Sequence, residues 1–134
     1  MTQFESAIKA IPYPAKPIFE FLSDFNNFES FIPKDKISDW KSFGDSCSFK
    51  LNGVGNAGLK IIDKEFPKTI KYCADGNTAI DFFLWVQLKE INENDTRLKL
   101  TLRAELNPML KIAASEPLKK FLNILADAIA NHSY

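Results

Sequence analysis

A chain of 134 residues fits one domain with one core, so residues 1–134 are read as a single domain. Hydrophobic residues make up 46% and charged residues 25%, which excludes wholesale disorder. Seventeen basic residues balance seventeen acidic ones, which argues against a nucleic-acid partner and against a polybasic membrane anchor.

Phe4–Ile11 alternates, with Phe4, Ser6, Ile8 and Ala10 on one face, and reads as a half-buried strand ended by Pro12 and Pro14. Ala15–Ser23 reads as a helix, since Pro17 suits a first turn and Ile18, Phe21 and Leu22 form an apolar stripe. Asp24 or Asn26 then caps a second short helix with the stripe Phe25, Phe28, Phe31 and Ile32, closed by Pro33.

From Lys36 the pattern is that of strands. Ile37–Phe43 is the weakest of them, and Ser46–Leu51 turns Cys47, Phe49 and Leu51 to one face. Asn52–Gly58 is a glycine-rich turn, Leu59–Phe66 and Thr69–Ala74 are strands, and Asp75-Gly76-Asn77 signals a hairpin. Ala79–Ile91 and Thr96–Leu106 each put their even-numbered apolar positions on one face and form a meander with a dry and a wet side. Phe83 and Trp85 fall on the opposite face from Phe82 and Leu84. They are either covered by a loop or exposed as the surface of a homodimer.

Asn107-Pro108 starts the last helix, which runs to about Asn131. Leu118, Phe121, Leu122, Leu125 and Ile129 form its apolar stripe, which Leu110 and Ala114 continue toward the N-terminus. Pro117 is expected to kink the helix or split it in two. Met109, Ile112 and Ala113 point elsewhere and read as extra core, a pocket lip or a partner patch.

Strand, two short helices, about six antiparallel strands and one long helix is the element order of the helix-grip fold. With the segments PIFEFLSDFNN (Pro17–Asn27) and NPMLKIAASEPLKKFLNILADAIA, the chain resembles the START-like superfamily over essentially its whole length. That superfamily includes plant pathogenesis-related allergens, polyketide cyclases and lipid-transfer domains. The resemblance implies an α+β domain: a curved antiparallel sheet of about six to seven strands wrapped around a long C-terminal helix. It also implies a cavity between them for an apolar or amphipathic small molecule of a lipid or polyketide-like kind.

Twelve phenylalanines in so short a chain suit either a Phe-rich core or such a cavity, since small-molecule pockets are mostly apolar and aromatic. The facing pattern assigns Phe49, Leu84, Val86, Leu100, Leu102, Phe121 and Leu125 to a ligand-binding wall. Two alternatives use the same fold. One is a cyclase- or dehydratase-type enzyme, which needs a buried ionisable group in the cavity. The other is a filled-core domain acting by protein contact alone.

The remaining motifs point away from other chemistries. Gly53–Gly58 matches G-x-G-x-x-G, but a strand pattern rather than a helix follows it, against a dinucleotide site. The single histidine, His132, lies two residues from the C-terminus and reads as a solvated tail residue. Neither a catalytic constellation, nor a cofactor site, nor a metal-ligand cluster is apparent. Glu20, Asp24 and Glu29 read as a solvated face, while Asp81 and Glu116 are the carboxylates to inspect beside any pocket. Cys47 and Cys73 read as reduced thiols. With no signal peptide and no run of about 18–20 apolar residues, no stable membrane insertion is expected and a cytoplasmic location is.

Overall fold

The structure is a computed structural model that describes Met1–Tyr134. The elements are β1 (Thr2–Glu5), β2 (Lys9–Ile11), α1 (Ala15–Leu22), two 3-10 turns (Phe25–Asn27 and Glu29–Phe31), β3 (Ile37–Ser42), β4 (Ser46–Leu51), β5 (Gly55–Glu65), β6 (Thr69–Ala74), β7 (Phe82–Asn92), β8 (Asp95–Ala104) and α2 (Pro108–Asn131). They build an antiparallel sheet in the order β1-β8-β7-β6-β5-β4-β3, with β2 also paired to β8. The sheet has eight strands, but β1 and β2 share one edge position, so only seven positions are filled across it. α2 lies across the concave face, with β1, β2, β8 and the second 3-10 turn as its backbone neighbours.

The first strand departs from simple alternation. Phe4 pairs with Leu102, but Lys9 pairs with Leu98, so the register slips by one residue in between. A slip of one residue reverses the faces of a strand. Ile8 is therefore 65% exposed and Ala10 faces out, while Ile11 is buried. Ser6 occupies the slip: its N–H donates to Leu100 O, and its hydroxyl accepts from Leu100 N, both at 2.9 Å. A hydroxyl thus keeps the ladder satisfied where the backbone alone cannot.

α1 follows Pro14, which offers no side-chain cap. Glu90 on β7 fills that role, its Oε1 accepting from Ala15 N at 2.7 Å. A carboxylate here satisfies an orphan donor and complements the positive helix end. Glu90→Ala is expected to lower stability by about 1 kcal/mol in urea titration; an unchanged midpoint would show that water caps the helix equally well. Ile18 and Leu22 are buried as the stripe requires, joined by Ala15 and Phe19, while Phe21 is only half-buried.

The expected second helix forms as the two 3-10 turns. Phe25, Phe28 and Phe31 recur at every third residue, the period of a 3-10 helix, and all three are buried. Asp24 caps the first turn through Asn26 N at 2.9 Å.

α2 is one continuous helix, so Pro117 does not split it. Asn107 caps it, accepting from Leu110 N at 2.8 Å, and Pro108 follows at the first helical position. Leu118, Leu122, Leu125 and Ile129 are buried against the sheet. The C-terminus is also held down. Tyr134 donates its hydroxyl to Ile129 O at 2.6 Å, and His132 lies with its ring centroid 4.4 Å from Phe21, 5.3 Å from Phe31 and 4.8 Å from Tyr134. His132 is thus packed in an aromatic cluster rather than being a solvated tail residue, because the 3-10 turns and α1 bring their rings to the end of α2.

Candidate functional site

Between α2 and the β3–β5 part of the concave face lies a cavity of about 60 Å³. Nineteen residues line it and all are hydrophobic; no polar atom faces the space. Five of the twelve phenylalanines contribute: Phe25, Phe28, Phe49, Phe82 and Phe121. Trp40, Phe49 and Phe121 form a row of rings with centroid spacings of 5.8 and 6.3 Å. The volume corresponds to roughly two water molecules, but a water needs two or more polar partners to stay, so the cavity is dry.

Of the seven residues assigned to a ligand wall, Phe49, Leu84, Leu102, Phe121 and Leu125 line this cavity. Val86 and Leu100 do not. They are paired with each other on β7 and β8 and buried to 2% and 0% exposure. Their side chains share the face of Leu84 and Leu102, but the core is filled above them rather than open. Sequence pattern also missed Phe25 on the first 3-10 turn, Phe28 between the two turns, Trp40 on β3, and Leu118 and Leu122 on α2. The three-residue Phe spacing was the available signal for the first two.

Cys47 is the sole ionisable group in the wall. Burial is the main cause pushing its thiol up to about 12, helped by the negative charge of Asp75 and opposed by a hydrogen bond with the Leu59 backbone. Such a thiol is almost wholly protonated at neutral pH and a poor nucleophile. Iodoacetamide at pH 8 is therefore expected to label half-buried Cys73 on the outer face and to spare Cys47 by roughly two orders of magnitude in rate. Equal rates would mean that the cavity opens freely to water. Tyr72, fully buried beside the cavity, donates to Leu22 O at 3.0 Å and pins the end of α1 to β6; burial raises its pKa.

At one end, the β4–β5 turn meets α2. Gly53 has φ +84°, and a Cβ there would lie 3.0 Å from Pro117 Cγ. The turn rests against the proline ring, and only glycine combines this backbone angle with that closeness. No helix starts here: β5 begins at Gly55, so the turn expected over Asn52–Gly58 is only Asn52–Val54, and Gly55–Gly58 of the G-x-G-x-x-G sequence already belong to a strand. Asp81 and Glu116 are exposed and neither lines the cavity. Glu20 pairs loosely with Lys16 at 4.0 Å on the surface of α1. Met109 and Ile112 are 79% and 85% exposed on the side of α2 away from the core, so they belong to neither core nor cavity. On the convex face Phe83 and Trp85 are half-buried beneath Lys71, whose Nζ lies 4.8 and 5.3 Å from their ring centroids. No helix is long and apolar enough to cross a membrane.

A curved antiparallel sheet closed by a long C-terminal helix over an apolar cavity defines the helix-grip class of α+β domain. Within that class the chain has the START-like fold, on the evidence of solved structures that match nearly its whole length. Norcoclaurine synthase from Thalictrum flavum, solved as a point mutant with a transition-state analogue, superposes with a TM-score of 0.73 at 14% identity, covering 96% of this chain and 91% of that one. A START superfamily protein from Mycobacterium smegmatis gives 0.66 at 14% identity, covering 96% and 94%. CalU16 from Micromonospora echinospora gives 0.57 at 16% identity, covering 96% and 76%. No protein-family model matches the sequence, and no curated protein matches it.

Proposed function

We propose that the protein binds or carries an apolar or amphipathic small molecule between the concave sheet and α2. The observation that carries this reading is the wholly apolar cavity, placed directly beneath a helix that touches the β4–β5 turn through one glycine–proline contact. A void of 60 Å³ costs on the order of 1.4 kcal/mol relative to a filled core. Drug-sized ligands occupy roughly 300–1,000 Å³. The cavity must therefore widen on binding, by rotation of the lining rings and movement of α2 away from the turn at Gly53.

A cyclase- or dehydratase-type reaction needs a proton-transfer group at the reacting atoms. The wall offers only the protonated thiol of Cys47, so geometry favours binding over catalysis. The smallness of the cavity favours a second reading, a nearly filled domain that acts through its surface. Native mass spectrometry of freshly purified protein, with denaturing extraction of whatever co-purifies, separates the two. A stoichiometric apolar adduct supports the carrier. A clean mass, together with no binding of added apolar ligands, supports the surface-acting domain.

A further inference from the structure

The cavity's end at the β4–β5 turn is bordered by basic clefts. One, of about 320 Å³, runs between that turn and α2. Its walls include Leu51, which also walls the cavity, and its charged groups are Lys36, Lys120 and Glu116. A second cleft on the other side of the turn adds Lys34 and Lys50, with Asp35. None of these lysines has an acidic partner within ion-pairing distance; the ion pairs of the chain are Lys9–Asp127, Lys16–Glu20, Arg97–Asp95 and Lys99–Glu5. A chain with no net charge thus gathers four unpaired cations against two acids at this one place. Clefts lined by one sign of charge focus potential and raise the local concentration of the opposite charge.

We propose that the ligand is an amphipathic monoanion, with its apolar tail in the cavity and a carboxylate head between Lys36 and Lys120. This rests on the carrier reading above and names the ligand class for the same site. The geometry suits it in three ways. Leu51 is the shared wall between the apolar cavity and the basic cleft, so a tail and a head can be bound at once when the turn and α2 part. The cleft between the turn and α2 carries two positive charges and one negative, so one anionic head leaves it neutral. The two lysines come from different elements, the segment before β3 and the middle of α2, so a bound head bridges the turn and the helix that must part to admit the tail. Binding of the head therefore closes the entrance behind the tail.

The test is isothermal titration with dodecanoate, dodecanol and dodecyltrimethylammonium, each below its micellar concentration, into the wild type, K36Q, K120Q and E116Q. Lys36 is half-buried while Lys120 and Glu116 are exposed, and none is in the core, so circular dichroism should show all four proteins folded. Dodecanoate is expected to bind at least about tenfold more tightly than dodecanol. Each lysine variant is expected to weaken dodecanoate by about threefold or more and leave dodecanol unchanged, and E116Q to tighten dodecanoate. Raising salt to 0.5 M should shrink the preference for the acid. If dodecanol and the cationic amphiphile bind as tightly as the acid and the lysine variants change nothing, the head-group assignment is overturned while the carrier reading stands. If none of the three binds, both are overturned.

Discussion

Leu102→Trp is expected to raise the Kd for an apolar ligand at least about a hundredfold while the domain stays folded. Leu102 lies on β8 opposite Leu84 and lines the cavity floor. An indole there projects into the apolar cavity beneath α2, where a ligand tail would have to lie. Overpacking a well-filled core costs about 1–3 kcal/mol, but here the void takes up part of the added volume. The melting temperature should therefore fall by only a few degrees. Leu100→Trp provides the contrast: Leu100 is fully buried and lies outside the cavity, so the same change should cost stability first. If Leu102→Trp binds as the wild type does, the ligand lies elsewhere.

Leu122→Ala should have the opposite effect on the space and the largest effect on stability. Leu122 is 1% exposed on α2 and lines the cavity. Removing its isobutyl end enlarges a void that already exists, so the site has little means to collapse. A loss of about 3–4 kcal/mol is expected in urea titration, within the range known for such truncations. The enlarged cavity should remain dry and take up benzene, as apolar cavities of about 150 Å³ do, so benzene should restore part of the lost thermal stability. A loss near 1 kcal/mol with no response to benzene would mean that α2 settles onto the sheet and closes the space.

The two clearest strands were readable because their alternation is unbroken, and β7 and β8 pair in register from Phe82 with Ala104 to Glu90 with Thr96. β4 and β6 span the residues their patterns marked. What alternation could not show is what covers each position. Leu84 and Val86 have the same parity on the same strand, yet one lines a cavity and the other lies in filled core. That distinction depends on how the helices come to rest against the sheet, which no local pattern records. The slip at Ser6 was hidden for a related reason. Phe4, Ser6, Ile8 and Ala10 look like one face, but a hydroxyl able to replace a ladder partner allowed the register to change within it. His132 looked like a tail residue because its partners, Phe21 and Phe31, are more than a hundred positions away in the chain. The lysines of the entrance were likewise unremarkable in sequence: Lys34, Lys36 and Lys50 meet beside the paired β3 and β4, and Lys120 joins them only when α2 folds back over the β4–β5 turn.

In the proposed complex an apolar tail enters the space between the sheet and α2. Methyl-labelled protein with bound dodecanoate tests it most directly, through nuclear Overhauser contacts between tail protons and leucine methyls. Contacts to Leu84, Leu102, Leu118 and Leu125, with none to Val86 or Leu100, are the predicted result. Contacts confined to surface positions such as Met109 and Ile112, with the leucine methyls of the cavity unmoved, would contradict it.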